Sequence, residues 1–515
     1  MSCKALNFRA FLIVALFVTA IVLCVYCYAY NAVAGIVLGV LLIVVCCALA
    51  TLFIFRFVYN KSRLVVAISF SLATVLCIIA FAVGVTVADK WDSGARFNRY
   101  CSVSGRVCDV DTQTGQYRLL LDDLVLNGQS ADGILCIDVA VSDQNIADIV
   151  HCGDTLQFGA KINVVSLARK DGKISGNAYR TDVRYTASVK SDGIVVQNVG
   201  NPRPLEKFSL DLRSHLTENM GEKYGNIAFS MLTGDKHGLG AGIFDYFSAA
   251  GLGHIMAVSG LHIGFLVLLL NFILCKVRKK IRFPIIAVVL LLYAVLADFS
   301  PSVVRAVIMA YISGIGVLIG GRRDLLSSLL CAYSFILAIK PFYLFESGFL
   351  LSFGALFGIA VFSGTIRRFT DKHRVPKKIG NAVGGSISVS MGILPMQAYF
   401  FQKVQVLACV VNIILLPYIS IVFISIICLL PISAIPHCGS VLLASKYLLM
   451  PLDYIAKAIS YVPQTIIGLK SSSALFLCYP LMFIAGEHVM LDKSKTAVSW
   501  YSLAVCLMII IICAL

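Results

Sequence analysis

The chain has 515 residues, of which 59% are hydrophobic and 14% charged, and its mean hydropathy is +0.88. Because a soluble domain usually carries about 25% charged residues, this composition excludes an ordinary cytosolic enzyme and a disordered chain. It predicts a polytopic α-helical integral membrane protein with roughly a dozen spans, at about 20 apolar residues each. The net charge of +16 comes from 43 Lys and Arg residues against 27 Asp and Glu residues.

The excess positive charge lies outside the one long polar segment of the chain. Residues 90–207 contain 14 basic and 14 acidic residues, so the rest of the chain carries 29 basic and 13 acidic residues. The basic residues cluster at 56–63, 276–282, 322–323 and 367–378. Short cytoplasmic loops of membrane proteins collect Lys and Arg, and we interpret the clusters as such loops. A polyanionic substrate or anionic lipid is the alternative explanation.

Three N-terminal spans are predicted, and they place the polar segment outside the cytoplasm. Lys4 and Arg9 keep the N-terminus inside. The chain then crosses at Phe8–Tyr30, Ala32–Phe55 and Leu64–Ala88. The first hydrophobic stretch is too long, and too soon followed by another, to be a cleaved signal peptide.

The polar segment that follows has the pattern of a β domain. Residues 97–195 form apolar or alternating runs of strand length, with Gly, Asp and Asn between them. This predicts five or six short strands and a small β-barrel such as an OB-fold. OB-folds often bind single-stranded nucleic acid through aromatic residues and basic grooves. This segment is neutral and poor in aromatic residues, so we favour a packing or gating module over specific nucleic-acid binding.

Most of the 18 cysteines lie in apolar spans, where a thiol is a small hydrophobic group. Four lie in the outer segment: Cys101, Cys108, Cys136 and Cys152. In an oxidising compartment they would form one or two disulfides, and the pairing stays open. Farther along, Leu205–Met220 is amphipathic at helical spacing and too charged to span, so we expect it at the membrane interface or packed on the membrane domain.

A Gly-rich stretch with polar side chains comes next, where another span is predicted to begin. Its polar residues include Asp235, Lys236, His254, Ser259 and His262. Polar groups in a span face a bundle interior or water rather than lipid. Its glycines, Gly251, Gly253, Gly260 and Gly264, would keep the helix surface flat, and the last two have the spacing that lets helices approach closely. The alternative role for the polar residues is helix–helix hydrogen bonding.

The remaining spans alternate across the membrane and keep every basic cluster on one side. We predict them at Gly251–Cys275, Phe283–Phe299, Val303–Gly320, Leu325–Ile339 and Phe345–Thr365. Four or five more follow after about residue 380, the last at 497–515.

Several of these spans carry polar residues next to Pro or Gly. Asp298 and Arg305 flank a Ser-Pro-Ser break, and Asp298 and Glu346 are candidate counter-ions for the arginine. Gln397 and Asn412 lie near prolines in later spans. Interrupted polar helices at membrane depth are typical of pathways through membranes.

Four motifs follow one another between residues 231 and 417. They are the stretch MLTGDKHGLGAGIFDYFSAAGLGHIMAVSGLHIG at 231–264, SPSVVRAVIM at 300–309, RRDLLSSLLCAYSFILAIKPFYLFESGFLLSFGA at 322–355 and LPMQAYFFQKVQVLACVVNIILLP at 394–417. Together they resemble the ComEC competence protein family. Their order and spacing match the family, and an OB-like domain after the first spans fits it. Leu350 stands where the family often has Gln, which predicts the loss of one polar group from the pore.

The resemblance implies an inner-membrane channel that admits single-stranded DNA to the cytoplasm during natural transformation. Its implied partners are membrane lipids, a DNA receptor, a cytoplasmic translocation ATPase, single-stranded-DNA-binding proteins and further copies of the chain. The implied domains are three spans at 1–90, an extracytoplasmic OB-like domain at 91–200, interfacial helices at 201–250 and the channel domain at 251–515. We expect a form without the family's C-terminal metallo-β-lactamase-like domain, and therefore no metal, cofactor or nuclease activity.

Two other classes stay open at this point. Ser259 with His262 or His254 would be the nucleophile and base of an intramembrane hydrolase, which requires the hydroxyl within hydrogen-bond reach of an imidazole. A transporter for a small anion or a lipid-linked substrate is the other class. The sequence has no G-x-x-x-x-G-K-[ST] phosphate-binding loop, so energy for transport would come from a partner or the proton gradient.

Overall fold

The structure, a computed structural model, describes most of the chain up to residue 468. The described residues are 10–30, 36–45, 61–93, 99–113, 116–140, 150–165, 179, 181–190, 193–236, 238–240, 242–318, 325–405, 408–462 and 466–468. The predicted last span at 497–515 lies outside these ranges, as do parts of the predicted span at Ala32–Phe55.

The helices before and around the β domain are α1 Ala10–Tyr30, α2 Ile36–Val45, α3 Lys61–Ser93, α4 Pro204–Met220, α5 Glu222–Thr233 and α6 Ile243–Ala249. Those that follow are α7 Gly260–Ile273, α8 Lys279–Leu296, α9 Pro301–Leu318, α10 Leu325–Ile339, α11 Ser347–Lys372, α12 Lys377–Phe401, α13 Ala408–Ser433 and α14 Leu442–Ser460. Short 3₁₀ turns lie at Gly253–Ile255, Pro341–Phe345 and Gly439–Val441.

Several helices are long and apolar enough to cross a bilayer, so the chain is a multi-pass membrane protein. Among the described residues, five segments meet this criterion: Ser71–Trp91, Pro301–Leu318, Ser347–Lys372, Ile379–Phe401 and Val410–Ser433. Shorter apolar helices, including α1, α7 and α10, pack beside them. The bounds of α10 are those predicted, and α8 and α9 differ from their predicted spans by two to four residues at each end. Helix α11 begins two residues after the start of its predicted span and ends seven residues beyond it.

The predicted span Gly251–Cys275 is wrong in its first part, because the helix begins only at Gly260. Gly251 has a φ of +78°, a left-handed conformation that glycine adopts without strain. A 3₁₀ turn follows at Gly253–Ile255, and Ser259 then caps α7 in an extended conformation. Residues 251–259 are therefore an irregular segment that leads into a short helix of 14 residues.

The β domain is one sheet whose inward side chains form a separate core. Its strands are β1 Tyr100–Gln113, β2 Gln116–Leu126, β3 Gln129–Ala131, β4 Ile134–Ala140, β5 Thr155–Lys161, β6 Asn163–Val164, β7 Val183–Lys190 and β8 Val195–Asn198. The pairing order is β6-β7-β4-β2-β1-β5-β8, with β3 beside β2. The β4–β7 pair is parallel and the other pairs are antiparallel. The sequence predicts fewer strands because β3, β6 and β8 are only two to four residues long.

The β domain is fixed to one end of the helical domain by aromatic contacts and a hydrogen bond. Tyr179 packs edge-on against Phe342 and Tyr343 of the turn before α11, at ring-centroid distances of 5.2 and 5.8 Å. Trp91, near the end of α3, donates its ring N–H to the carbonyl oxygen of Val165 at 2.6 Å. The β domain therefore lies at the end of the bundle where α11 begins.

Two of the predicted basic loops, at 276–282 and 367–378, lie at the opposite end of the bundle. Arg367 is 20 residues along α11 from Ser347, which is about 30 Å at 1.5 Å per residue. The start of α8 lies at that same end, because the ring of Phe283 on α8 packs where a Cβ of Gly314, near the end of α9, would be. This separation agrees with the arrangement predicted from the charge clusters.

Helix α5 lies in the core of the helical domain. Every residue from Gly225 to Thr233 is buried, and Ile227, Phe229 and Met231 belong to a cluster that includes side chains of α7, α8, α9, α13 and α14. The segment Leu205–Met220, for which the sequence left two positions open, forms α4. Its Leu212, Leu216 and Met220 belong to the same buried cluster, so α4 packs on the helical domain.

Candidate functional site: a cavity through the helical domain

A cavity of about 2720 Å³ runs between the β domain and the far end of the helical bundle. At the β-domain end its walls include Cys108, Asp122 and Glu206. At the other end they include Lys279 at the start of α8 and Asn381 near the start of α12. The cavity therefore follows the long axis of the bundle.

One face of α9 lines the cavity over the whole helix. Ser302, Arg305, Met309, Ser313 and Val317 all contribute to the wall, and their spacing of three to four residues places them on one side of a helix. Helix α9 has 18 residues, about 27 Å, which is close to the roughly 30 Å hydrocarbon thickness of a bilayer.

The structure brings together most of the residues singled out from the sequence. Nine of the ten predicted pathway residues line this cavity: Asp235, Lys236, His254, Ser259, Asp298, Arg305, Glu346, Gln397 and Asn412. They come from five separate parts of the chain, so their convergence is a property of the fold.

His262 does not belong to the cavity wall, and its assignment to the pathway is corrected. Its side chain is only 1% exposed and its ring packs against Phe423 of α13, with centroids 4.4 Å apart. Its Nδ1 accepts the main-chain N–H of Ser259 at 3.0 Å. Ser259 Oγ in turn accepts from the N–H of Leu261 at 3.3 Å. Ser259 and His262 thus form a capping box, in which His takes the place of the usual Glu or Gln.

His254 lies outside α7, although the predicted span Gly251–Cys275 includes it. It lies in the 3₁₀ turn before α7 and is exposed to the cavity. Its Nδ1 is 3.1 Å from the carbonyl oxygen of Gly251. The left-handed backbone of Gly251 therefore positions His254, and the cap of α7 positions Ser259.

Arg305 is the charged side chain most deeply enclosed in the cavity wall. It is 4% exposed, its Nη1 donates to the carbonyl oxygen of Ser352 on α11, and its guanidinium lies 5.6 Å from the ring centre of Phe353. A Cβ built on Gly260 would lie 2.4 Å from its Nη2. The absence of a side chain at Gly260 is thus what allows the guanidinium to reach the start of α7.

The two acids proposed as counter-ions have different positions. Glu346 is 6% exposed, and its carboxylate caps α11 by accepting the N–H of Phe349. Asp298 is exposed in the tight turn between α8 and α9, where its φ is +47°. Arg305 Nη1 donates to the carbonyl oxygen of Ser352, so this hydrogen bond is to a main-chain group and not to a carboxylate.

The cavity carries charges of both signs, and their distribution is uneven. The acidic residues in its wall are Asp109, Asp122, Glu206, Asp235, Asp298 and Glu346, and the basic residues are Arg213, Lys236, Lys279, Arg282 and Arg305. The end away from the β domain carries Lys279 and Arg282. Lys236 lies between α5 and α6, with its Nζ 4.0 Å from the ring centre of Phe244 on α6.

Comparison with known proteins agrees with the motif resemblance. The model of the family described as "Competence protein" matches residues 231–492, just over half of the chain. The chain therefore belongs to the competence protein family. A curated relative, ComE operon protein 3 of Bacillus subtilis (strain 168), is 26% identical over 260 residues, which is 49% of this chain and 31% of the relative. The match thus spans about a third of the relative's length, and no solved structure matches the chain.

Leu350, where this competence protein departs from the family motif, does not remove a polar group from the cavity. Its side chain packs with the buried cluster formed by α1, α3, α10 and α11. The neighbouring residues Leu351 and Ser352 are the ones that line the cavity. The prediction that Leu350 removes a polar group from the pore is therefore wrong, because this side chain does not line the cavity.

The glycines predicted to pack helices differ in their surroundings. Gly260 lies against α9, where a Cβ would meet Arg305 Nη2 at 2.4 Å and the Cβ of Ala306 at 3.6 Å, whereas a Cβ at Gly264 would meet no atom within 4 Å. Gly251 and Gly253 precede α7. Another close approach occurs between α11 and α12, where a Cβ on Gly392 would lie 2.2 Å from the carbonyl oxygen of Gly354. The sequence signal for this contact was present, because Gly354, Gly358 and Gly392 lie within predicted spans.

Two polar clusters outside the cavity centre were missed. Asp453 of α14 is 2% exposed, accepts from Lys223 Nζ at 2.5 Å and from the hydroxyl of Tyr246, and so joins α5, α6 and α14. Arg106 of β1 donates to Glu206 of α4 at 2.7 and 3.0 Å and to Asp122 of β2 at 3.1 and 3.2 Å. These partners are 16 to 230 residues apart, so local sequence patterns do not connect them.

The charges and thiols beside the Arg106 cluster have shifted pKa values. Burial acts to raise the pKa of Glu206, but hydrogen bonds from Arg106 and from the N–H of Arg203 outweigh it and lower the pKa. Burial raises the pKa of the Cys108 thiol to about 12 and that of Cys152 to about 11. All four outer cysteines, including Cys101 and Cys136, are free thiols in the structure. In the ranges described above, no group of three or more His, Cys, Asp or Glu side chains is placed to hold a metal ion.

Proposed function

We propose that this competence protein is the inner-membrane channel through which single-stranded DNA enters the cytoplasm during natural transformation. The observation that carries the proposal is the cavity, which one face of α9 lines along its full length. Nine of the ten predicted pathway residues also contribute to its wall. Its volume of about 2720 Å³ exceeds the roughly 300–1,000 Å³ of ordinary small-molecule sites. A polymer uses such an elongated space better than a small anion does.

The lining has the chemistry that a polyanion needs at membrane depth. Charge is costly in a low-dielectric layer unless water or polar groups replace its hydration. The cavity supplies hydroxyls such as Ser302 and Ser313, amides such as Gln397 and Asn412, and the guanidinium of Arg305. The basic residues Lys279 and Arg282 at the far end would attract the emerging strand in a salt-dependent way.

The proposed orientation places the β domain outside the cytoplasm and the basic loops inside. It rests on the positive-inside rule and on the separation of the two along the bundle, with Tyr179 docked at the start of α11 and Arg367 about 30 Å away. DNA would enter the cavity beside the Arg106–Glu206 cluster and leave past Lys279.

We further propose that the β domain is a closed barrel of OB type. Two observations support closure: β5 pairs with β1, and β6, one residue farther along, pairs with β7. The ring β1-β2-β4-β7 is then completed by β5 and β6. The parallel pairing of β4 with β7 agrees with this strand order. In this position the domain would gate the cavity.

The proposal assigns no enzymatic activity, metal or cofactor to the chain. The distance of 3.4 Å from Ser259 Oγ to His262 Nδ1 is accounted for by the capping box, in which Nδ1 already accepts a main-chain N–H. Degradation of the second strand and energy for transport would come from partners, which we propose to be a DNA receptor, a cytoplasmic translocation ATPase and single-stranded-DNA-binding proteins. Further copies of the chain and membrane lipids complete the proposed partners, and a small-anion or lipid-linked-substrate transporter is the second candidate.

The test is deletion of the gene in the source organism, with separate assays of DNA binding at the cell surface and DNA entry into the cytoplasm. The proposal predicts that entry of labelled DNA is lost while surface binding is retained, and that the wild-type gene restores entry. Normal transformation in the deletion strain would refute it. A defect confined to uptake of a small anion would favour the second candidate.

A further inference from the structure

Three helices begin around one buried guanidinium in the cavity wall. Helix α7 begins at Gly260, α9 at Pro301 and α11 at Ser347. Arg305, in the second turn of α9, reaches both neighbours, because a Cβ on Gly260 would lie 2.4 Å from its Nη2 and its Nη1 donates to the carbonyl of Ser352. Helix N-termini carry partial positive charge and free N–H groups. The guanidinium and the helix dipoles therefore contribute positive potential at this place, where the one carboxylate at these described helix starts is that of Glu346, the cap of α11.

The start of each helix is satisfied in a different way. Helix α7 is capped by Ser259, and α11 is capped by the carboxylate of Glu346. At α9, Ser300 stands at the position before Pro301, but its Oγ is buried and hydrogen-bonds to none of the residues that the structure describes. The start of α9 therefore carries, in a residue of the cavity wall, a hydroxyl whose hydrogen-bonding capacity the described residues leave unused.

Arg305 itself has hydrogen-bonding capacity that the described part of the protein does not use. It is 4% exposed, and its Nε has no acceptor within that part. Its two contacts are to neutral groups, the carbonyl of Ser352 and the ring of Phe353. An arginine stays charged in proteins, and a buried charge is costly unless an anion or a polar ligand compensates it. The structure thus contains a buried cation in the wall of a large cavity, and the described residues leave its Nε–H unused.

From this geometry we propose that Arg305 and Ser300 form a binding site for one phosphodiester group of the DNA strand. The inference rests on the proposed function and names the group that the cavity recognises. Guanidinium binds phosphate oxygens through parallel N–H donors, and the Ser300 hydroxyl adds a third donor. Contacts to phosphate are independent of base sequence. A single such site holds each phosphate weakly enough to release it, as passage through a pore requires.

The alternative is a purely structural role, in which Arg305 only ties α9 to α11 through Ser352. The two roles differ in what a loss of charge does. If Arg305 is only a structural tie, its loss weakens the binding of charged and uncharged strands alike. If it is a phosphate site, its loss weakens the binding of the charged strand alone. The salt dependence of binding separates them as well, because each phosphate contact on a single strand contributes about 0.7 to the slope of log K against log salt.

The experiment uses the purified full chain in lipid nanodiscs and measures fluorescence anisotropy of two labelled probes. One is a short oligothymidylate, and the other has the same length with uncharged methylphosphonate linkages. We compare Arg305→Gln, Arg305→Lys and Ser300→Ala with the wild type. Lys457→Gln is the matched control, because Lys457 is exposed on α14 and is not among the residues that line the cavity.

We expect the wild type to prefer the phosphodiester probe. Arg305→Gln should weaken that probe about 10-fold to 100-fold, the cost of losing hydrogen bonds to a charged group, and should lower the salt slope by about 0.7. The affinity of Arg305→Lys for the phosphodiester probe should lie between those of the wild type and Arg305→Gln. Ser300→Ala should weaken binding of that probe a few-fold, and Lys457→Gln should change it little. Binding of the methylphosphonate probe should not depend on position 305.

Equal loss for both probes, an unchanged salt slope in Arg305→Gln, or a wild type without preference for the charged probe would overturn the proposal. If Arg305→Gln does not yield folded protein, the Arg305→Lys and Ser300→Ala variants decide the same question. Failure of the phosphate site is distinguishable from failure of the proposed function. A deletion strain that still imports DNA refutes the function, whereas a deletion strain that loses import together with an Arg305→Gln protein that binds both probes normally refutes only the site.

Discussion

Gly260 and Gly264 give a matched pair of substitutions that tests the contact between α7 and Arg305. Both glycines belong to the spacing that predicts helix packing, but the structure separates them. A Cβ on Gly260 would lie 2.4 Å from Arg305 Nη2, whereas a Cβ on Gly264 would meet no atom within 4 Å. Neither has a left-handed backbone conformation, so alanine is compatible with both backbones.

The expected effects have opposite signs. In Gly260→Ala the guanidinium must move and lose its bond to Ser352, a loss of about 1.5–3 kcal/mol for a bond to a charged group, or α7 must shift at an overpacking cost of about 1–3 kcal/mol. Gly264→Ala meets no obstacle and gains about 0.5–1 kcal/mol from helix propensity. The two variants should therefore differ in free energy of unfolding by about 2–4 kcal/mol.

The assay is equilibrium unfolding of the purified full chain in mixed micelles, with loss of helical circular dichroism as a function of denaturing detergent. Each variant is compared with the wild type at the same lipid and detergent ratio. Equal stability of the two variants, or a larger loss in Gly264→Ala than in Gly260→Ala, would refute the placement of Arg305 against the start of α7.

Four further predictions test other parts of the structure. His262→Gln should keep the capping box, whereas His262→Ala should destabilise α7 by about 0.5–2 kcal/mol in the same unfolding assay. Gly392→Ala should destabilise the α11–α12 contact by about 1–3 kcal/mol, because its Cβ would lie 2.2 Å from a carbonyl oxygen, while Gly385→Ala on the same helix meets open space and should not. Alkylation of Cys152, followed by mass spectrometry, should accelerate with pH up to about 11, and a plateau near pH 8.5 would contradict this. The lowered pKa of Glu206 stabilises the fold above about pH 4.3, the ordinary glutamate value, and this contribution is lost as the pH falls through the lower folded-state pKa. Glu206→Gln should therefore cost about 1–3 kcal/mol at pH 7 and less at pH 3.

The sequence predicts the parts of the fold that depend on local pattern. Hydropathy locates α9, α10 and the start of α11 to within a few residues, since a span of apolar residues is a strong signal. The β domain is found by its alternation, although β6 and β8 are too short to be seen. The charge clusters predict two ends of the bundle, and the structure separates Arg367 from the β domain accordingly.

The sequence does not predict which polar residues meet. Residues in the cavity wall come together because α7, α9 and α11 begin at the same level of the helical bundle. Gly260 and Arg305 are in contact there although they are 45 residues apart in the sequence. His262 fails as a pathway residue because its imidazole turns back to cap its own helix, a role that the spacing from Ser259 allows but does not require. The Lys223–Asp453 pair and the Arg106–Glu206 pair depend on long-range packing, which periodicity does not contain.

The central claim, that DNA passes through this cavity, is tested most directly by photocrosslinking during uptake. Benzoylphenylalanine is introduced in place of Phe401, which lines the cavity and is 52% exposed, or in place of Phe335, which is 47% exposed in the middle of α10 and is not part of the cavity wall. Both changes replace one aromatic residue by a larger one. Labelled DNA in transit should crosslink at position 401 and not at position 335. Equal crosslinking at both positions, or none at 401 while DNA enters the cell, would contradict the claim.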